Sequence, residues 1–165
     1  LEEYERESIS FHSTANFLNG CNLWHGLWRR QVAVEKTILV AEDNSDLLEV
    51  TGIFLALMGY TPVTCCDGEV ASAMYEMHRS FALLITDLEM PGKSGLELAR
   101  ELTALQHGLP VIIVSGAMIT DEMWLEMRAR NWLFLAKPYV LPVLLASVQS
   151  LIRESAVTRK EPKLK

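Results

Sequence analysis

Beyond Lys36 the chain is punctuated by four short runs of continuous apolar residues: Ile38-Leu39-Val40-Ala41, Ala82-Leu83-Leu84-Ile85, Val111-Ile112-Ile113-Val114 and Leu133-Phe134-Leu135-Ala136. Short runs without polar alternation, rich in β-branched side chains, suit strands covered on both faces. A weaker strand reads over residues 61–66. Its Pro62 has no N–H to give to a ladder, which places that strand at a sheet edge. Between the runs, Leu47, Val50, Phe54 and Leu57 recur at spacings of three and four and predict a helix whose apolar face stops at Gly59. Further helices are predicted over residues 69–78, 94–105, 120–129 and 141–153. Five alternating β–α units of this kind predict an α/β fold: a doubly wound, five-stranded parallel sheet with helices on both faces. Such sheets gather ligands outside the carboxyl ends of their strands.

The residues after the apolar runs are therefore the ones that carry chemistry. Glu42-Asp43-Asn44 follow the first strand, Asp87 the third, Ser115 the fourth and Lys137-Pro138 the fifth. One polar residue at a strand end means little, because loops are polar and an acid at a helix start answers the helix dipole. Polar groups at four strand ends of one sheet converge on a single crevice. Glu42, Asp43 and Asp87 would bring three negative charges together, which requires counter-charge. A divalent cation and Lys137 match them. Carboxylate and carbonyl oxygens suit Mg²⁺, which often binds beside a phosphoryl group. Asp87 is then placed to attack phosphorus and form an acyl phosphate, with Mg²⁺, Lys137 and the Ser115 hydroxyl neutralising the phosphoryl oxygens.

Charge and composition narrow the picture. The 165 residues carry a net charge of −6. Residues 36–155 hold fifteen acids against eight bases, whereas residues 156–165 hold one acid against four bases. An acidic body disfavours direct nucleic-acid binding, which depends on Lys and Arg displacing counterions. Three cysteines, Cys21, Cys65 and Cys66, are too few and too badly spaced for a disulfide framework or a zinc site. Cytoplasmic placement is the simplest expectation. Residues 8–28 are uncharged but rich in Ser, Thr, Asn and His, too polar to insert into a membrane. The chain opens on Leu1 in an acidic stretch, unlike a secretory signal, and is read as a fragment or as continuing from an upstream frame.

Taken in order and spacing, these motifs resemble those of a response-regulator receiver domain, the phosphoacceptor domain of two-component signalling. The resemblance rests on Ile38 through Asn44, on Asp87-Leu88-Glu89-Met90-Pro91-Gly92-Lys93-Ser94-Gly95, on Val114-Ser115-Gly116 and on Lys137-Pro138-Tyr139. It covers residues 36–153 and implies a flavodoxin-like, receiver-type sheet. It implies further that Asp87 is the phosphoacceptor and that Asp43, Asp87 and the backbone carbonyl of Glu89 bind Mg²⁺, with Glu42 acting through water. Lys137 becomes the partner of the phosphoryl group, Ser115 the switch hydroxyl and Phe134 the switch aromatic. The Lys137-Pro138 peptide is expected to be cis. The implied partners are a sensor histidine kinase or histidine phosphotransfer protein on the donor side. On the output side stands a protein target, or a homodimer through the fourth helix, fifth strand and fifth helix. The implied activity is a phosphorylation-dependent switch that catalyses only its own phosphorylation and dephosphorylation. It acts as a single-domain regulator or as the terminal receiver of a hybrid kinase.

Three places depart from the common pattern. Ala117 offers no polar group two residues beyond Ser115, and Glu89 puts a carboxylate two residues beyond Asp87. Arg130-Asn131 stands where a Gly-Ala pair is usual, a turn that Asn131 permits because it tolerates left-handed backbone. Two rival readings exist: an aspartate-nucleophile phosphatase, for which Glu89 would be the second acid, and a flavin-binding domain, which the acidic first loop opposes. Near the expected output face, Met123 and Met127 read as core, while Trp124 and Trp132 read equally as core or as an exposed patch. Residues 1–35 form a separate extension, non-native or the tail of a preceding module. Within it Phe17, Cys21, Trp24 and Trp28 share a helical face suited to a partner, weakened by Gly20 and Gly26. Residues 156–165 read as a disordered basic tail or a linker stub.

Overall fold

The computed structural model describes residues 36–160, so the N-terminal helical face and the end of the basic tail lie outside the described residues. The five strands are β1 (Thr37–Ala41), β2 (Thr61–Cys65), β3 (Leu83–Asp87), β4 (Val111–Ser115) and β5 (Leu133–Ala136). They alternate with helices α1 (Ser45–Leu57), α2 (Gly68–His78), α3 (Gly95–Leu105), α4 (Asp121–Ala129) and α5 (Leu141–Lys160). All strand pairs are parallel, in the order β2-β1-β3-β4-β5. The strand bearing Pro62 is at the edge, as its missing donor requires.

Each face of the sheet builds its own core. Leu39, Leu84 and Ile113 pack with Ala71 and Tyr75 of α2, Leu98 and Leu102 of α3, and Met127 of α4. Ile38, Val40, Ile85, Ile112 and Val114 pack on the other side with Leu55 of α1 and Leu144 and Val148 of α5. Alternate residues of each apolar run thus serve opposite layers, which explains why the runs contain no polar position. Side-chain caps fix the helix starts: Asn44, Asp67, Ser94 and Thr120 each accept a backbone N–H from the first turn of α1, α2, α3 and α4. Ser94 and Glu97 complete a reciprocal capping box.

Two helices differ from their sequence expectation. The buried residues of α1 are Thr51, Gly52 and Leu55, not the Leu47-Val50-Phe54-Leu57 stripe. Val50 and Leu57 are exposed, while Leu47 and Phe54 are only half-buried. The reason is close packing: a Cβ on Gly52 would lie 3.0 Å from Thr64 Cγ2, so α1 approaches the sheet through its smallest residues. A count of hydrophobic positions overlooks a contact face made of Thr and Gly. The fifth helix continues to Lys160, so the expected end at Arg153 and the expected domain boundary at 155 both fall inside it. Pro142 sits in its first turn, where proline is tolerated, and the next proline is Pro162.

On α4 and the turn after it, Met127 and Trp132 are buried and Met123 is half-buried. The Arg130 guanidinium lies 5.1 Å from the centroid of the Trp132 ring. Of the two tryptophans, only Trp124 is exposed. Asn131 adopts φ 58°, the left-handed turn expected of it. Among the described residues, no helix is long and apolar enough to cross a membrane.

Candidate functional site

Strand register brings the polar strand ends to one level. Ala41 pairs with Thr86, Asp87 with Val114 and Ser115 with Ala136. The residues that follow β1 and β5, Glu42 and Lys137, are therefore level with Asp87 and Ser115. The result is a crevice above the sheet in which oxygen atoms of Glu42, Asp43 and Asp87 all lie within 4.8 Å of one another.

Lys137 spans two of these acids. Its Nζ donates to Glu42 Oε1 and Oε2 at 2.9 and 2.7 Å and to Asp87 Oδ2 at 2.7 Å. Glu42 and Asp87 are buried, whereas Asp43 is exposed at the mouth. Burial raises the Glu42 carboxyl above its usual value, and the hydrogen bond from Lys137 only partly offsets this. Burial alone would depress Lys137, but its hydrogen bonds to Asp87 and Glu42 outweigh it and hold the ammonium charged beyond its usual range. With one lysine among three carboxylates, two negative charges are left over, the charge of one divalent cation. An all-oxygen donor set suits a hard cation such as Mg²⁺.

The second half of the site is hydroxyl and aromatic. Ser115 is buried, and its Oγ accepts the Ala117 backbone N–H at 2.9 Å. Phe134, the second residue of β5, is half-buried and meets the exposed Trp124 edge-on, with centroids 6.4 Å apart. The Lys137–Pro138 peptide is cis. The backbone N–H of Glu89 points at Asp87 Oδ1 at 3.3 Å, while the Glu89 side chain faces outward. Lys93 takes no part in the crevice: its Nζ is bonded to Ser72 at 2.8 Å and to Glu101 at 2.6 Å, tying α2 to α3.

Several supporting residues carry no role in the sequence reading. Gly95 opens α3 directly against the phosphoacceptor candidate: a Cβ there would lie 1.9 Å from the Asp87 carbonyl oxygen and 2.8 Å from Thr86 Oγ1. Its N–H donates to the Leu88 carbonyl at 3.0 Å. The Lys-Ser-Gly sequence of residues 93–95 is the signal from which a close approach was legible. Tyr139, two residues past Lys137, is a half-buried phenol raised by its burial. Cys65 sits at the site's flank, where its carbonyl accepts the Glu42 N–H at 3.1 Å. Burial pushes the Cys65 thiol up to about 11, while Cys66 is exposed. Iodoacetamide at pH 8 is accordingly expected to alkylate Cys66 and to leave Cys65 unmodified until the fold is opened by denaturant, as read by peptide mass mapping. Labelling of Cys65 at the rate of Cys66 in the native protein would contradict this arrangement.

Comparison with known proteins agrees with the geometry. The sequence model of the response regulator receiver domain matches residues 38–149. The Regulatory protein VanRB of Enterococcus faecalis is 30% identical over 125 residues, covering 75% of this chain and 56% of the relative. The Transcriptional regulatory protein PrrA of Mycobacterium tuberculosis is 31% identical over 121 residues, covering 73% of this chain and 52% of that protein. The chain thus spans about half the length of these curated relatives. Among solved structures, a receiver domain from Clostridium thermocellum superposes with a TM-score of 0.69 at 25% identity, covering 74% of this chain and 98% of that one. The receiver domain of the hybrid histidine kinase CckA gives 0.61 at 27% identity, covering 70% and 98% respectively.

Proposed function

This chain belongs to the response regulator receiver domain family, and from that membership we propose that it is a phosphorylation-dependent switch in which Asp87 accepts a phosphoryl group from a phosphohistidine. The observation that carries this reading is the crevice itself: Asp87 is buried beside Glu42 and Asp43, and Lys137 Nζ touches both Asp87 and Glu42. An Asp87 oxygen forms the new P–O bond as the P–N bond to the donor imidazole breaks, and the imidazole keeps the electron pair and takes up a proton. Lys137, already 2.7 Å from Asp87 Oδ2, follows the negative charge onto the phosphoryl oxygens. Asp43, Asp87 and the Glu89 backbone carbonyl would hold Mg²⁺, with Glu42 contributing through water. When bound, the ion supplies the positive charge that lets phosphate approach three carboxylates.

Relay of the signal follows from the second half of the site. In the present arrangement the Ser115 hydroxyl is engaged by Ala117 N–H and Phe134 rests against Trp124. A phosphoryl group on Asp87 offers Ser115 a charged acceptor, and the hydroxyl turns toward it. The space it leaves admits Phe134, so a local charge change biases a two-state element. The readout face is α4, β5 and α5, presented to a protein target or a second copy. A sensor histidine kinase or a phosphotransfer protein is the donor, and the setting is cytoplasmic. No direct nucleic-acid contact is proposed for this acidic domain.

The test is intact mass after incubation with acetyl phosphate. One phosphoryl group should add in the presence of Mg²⁺, little should add when EDTA replaces it, and Asp87→Asn should abolish the addition. Addition that survives Asp87→Asn, or hydrolysis of phosphomonoesters with turnover, would overturn the reading.

A further inference from the structure

The loop over residues 88–94 connects Asp87 at the end of β3 to Gly95 at the start of α3. It begins beside the site, where the Glu89 backbone N–H points at Asp87 Oδ1 at 3.3 Å. Leu88 and Met90 are buried, and the Gly95 N–H closes the loop on the Leu88 carbonyl at 3.0 Å. The tip is not packed in this way. Pro91 and Gly92 are exposed, Gly92 has φ 73°, and a Cβ on it would meet nothing within 4 Å. A tip with that backbone freedom and so few neighbours opens easily unless something restrains it.

Lys93 supplies the restraint. Its Nζ lies 2.8 Å from Ser72 Oγ and 3.5 Å from Glu69 Oε2, both on α2, and 2.6 Å from Glu101 Oε2 on α3. An ammonium has three N–H bonds, one for each of these oxygens. Ser72 extends the connection by donating to the Gly68 carbonyl at 3.0 Å. The backbone is seated as well: a Cβ on Gly68 would lie 2.5 Å from the Lys93 carbonyl oxygen, so the loop rests directly on the first residue of α2. The Lys93 side chain is only 18% exposed. Burial alone would depress its ammonium, but the hydrogen bond to Glu101 and the charges of Glu101 and Glu69 outweigh it and keep the group charged. Were the lysine only a tie between two helices, a pair of side chains on α2 and α3 would serve. Placed on the loop, it fixes where the loop can go.

We propose that Lys93 is a positioning residue for cation binding at the Asp87 crevice: through Ser72, Glu69 and Glu101 it holds residues 88–94 in the form that keeps the Glu89 backbone against Asp87. This role rests on the Mg²⁺ and phosphoryl reading of the crevice, and it adds a residue that does not touch the crevice. The sign of the effect separates it from simple electrostatics. Lys93→Met removes a positive charge, and long-range charge alone would then make the crevice bind a cation more tightly. Loss of positioning weakens binding instead.

Calorimetric titration of the full chain with MgCl₂, together with hydrogen–deuterium exchange of the metal-free chain, tests it. Lys93→Met keeps the apolar stem and should weaken Mg²⁺ binding roughly tenfold, the scale on which residues supporting a metal ligand act. Ser72→Ala changes no charge and should weaken it in the same direction. Combining the two should add little, because both break one connection. Without metal, amides of residues 88–94 should exchange faster in both variants while β1 and β4 amides stay protected, which separates the loop from the fold as a whole. Should Lys93→Met loosen β1 and β4 as well, Ser72→Ala decides by the same two measurements. Unchanged or tighter Mg²⁺ binding in the variants would overturn the proposal, as would weaker binding with unchanged exchange of the loop. A parent chain that binds no Mg²⁺ would overturn the crevice reading and this role with it, a failure recognisable because it appears before any substitution is made.

Discussion

Gly95→Ala is expected to destabilise the domain by about 3 kcal/mol or more, the upper end of what adding one methyl group does in a packed interior. The added carbon would lie 1.9 Å from the Asp87 carbonyl oxygen and 2.8 Å from Thr86 Oγ1, and a backbone oxygen has no rotamer with which to move away. Either α3 shifts from its start or β3 bends where Asp87 leaves the sheet. Stability and site geometry should therefore fail together, and phosphoryl uptake should fall with the urea midpoint. Gly116→Ala is the matching control. It lies on the same rim, but its new Cβ would meet only the Lys137 Cβ at 3.8 Å, an ordinary contact. Its stability should stay within about 0.5 kcal/mol of the parent. Equal urea midpoints for the two variants would refute the close approach of α3 to β3.

Lys137→Met should produce the second large effect, and one that depends on pH. Removing the ammonium leaves Glu42 and Asp87 buried side by side without their shared donor. Stranding a buried charge in this way typically costs about 3–5 kcal/mol, reduced here to about 2–3 because the Lys137 side chain keeps some solvent contact. Glu42 is already raised above 4.5 by burial, and without Lys137 it rises further. A group with a raised folded-state pKa contributes stability that is complete below its unfolded value and is lost as pH rises through the folded value. The variant should thus match the parent near pH 4 and fall progressively behind it toward pH 7, as followed by urea denaturation across that range. Millimolar Mg²⁺ should restore part of the loss at pH 7 if the three carboxylates bind a divalent ion. A stability deficit that is constant with pH would show that Lys137 acts through packing rather than charge.

How much of this was readable from the chain differs from element to element. The β1, β3 and β4 runs are apolar throughout because both faces of each strand are covered, so composition alone locates them. Pro62 announced an edge strand because a missing N–H is a local chemical fact that no neighbour can repair. Asn131 likewise met its left-handed turn because that tolerance belongs to the residue. The α1 stripe was misread for the opposite reason. Its inner face is chosen by how near the helix comes to β2, and Gly52 and Thr51 allow a nearness that larger side chains would forbid. Hydrophobic residues displaced from that face, Val50 and Leu57 among them, then had to point outward. The length of α5 escaped the sequence reading because nothing between Arg153 and Lys160 breaks a helix and nothing in the composition requires one.

The candidate site divides in the same way. Glu42, Asp43, Asp87, Ser115 and Lys137 are legible by sequence because each closes a strand or stands just beyond one, and parallel strands deliver their carboxyl ends to one edge. Local order along the chain therefore determined which groups meet. Only the tertiary structure decided how they meet. Lys137 is shared between Glu42 and Asp87, Ser115 is engaged by the backbone of Ala117, and α3 rests against Asp87 through the missing side chain of Gly95. The Lys137 contacts join residues 95 and 50 positions apart in the sequence, and the seating of Gly95 on Asp87 depends on how the chain between them is folded. Sequence periodicity records which side of an element is apolar, whereas the separation of two packed elements is set jointly by every side chain between them.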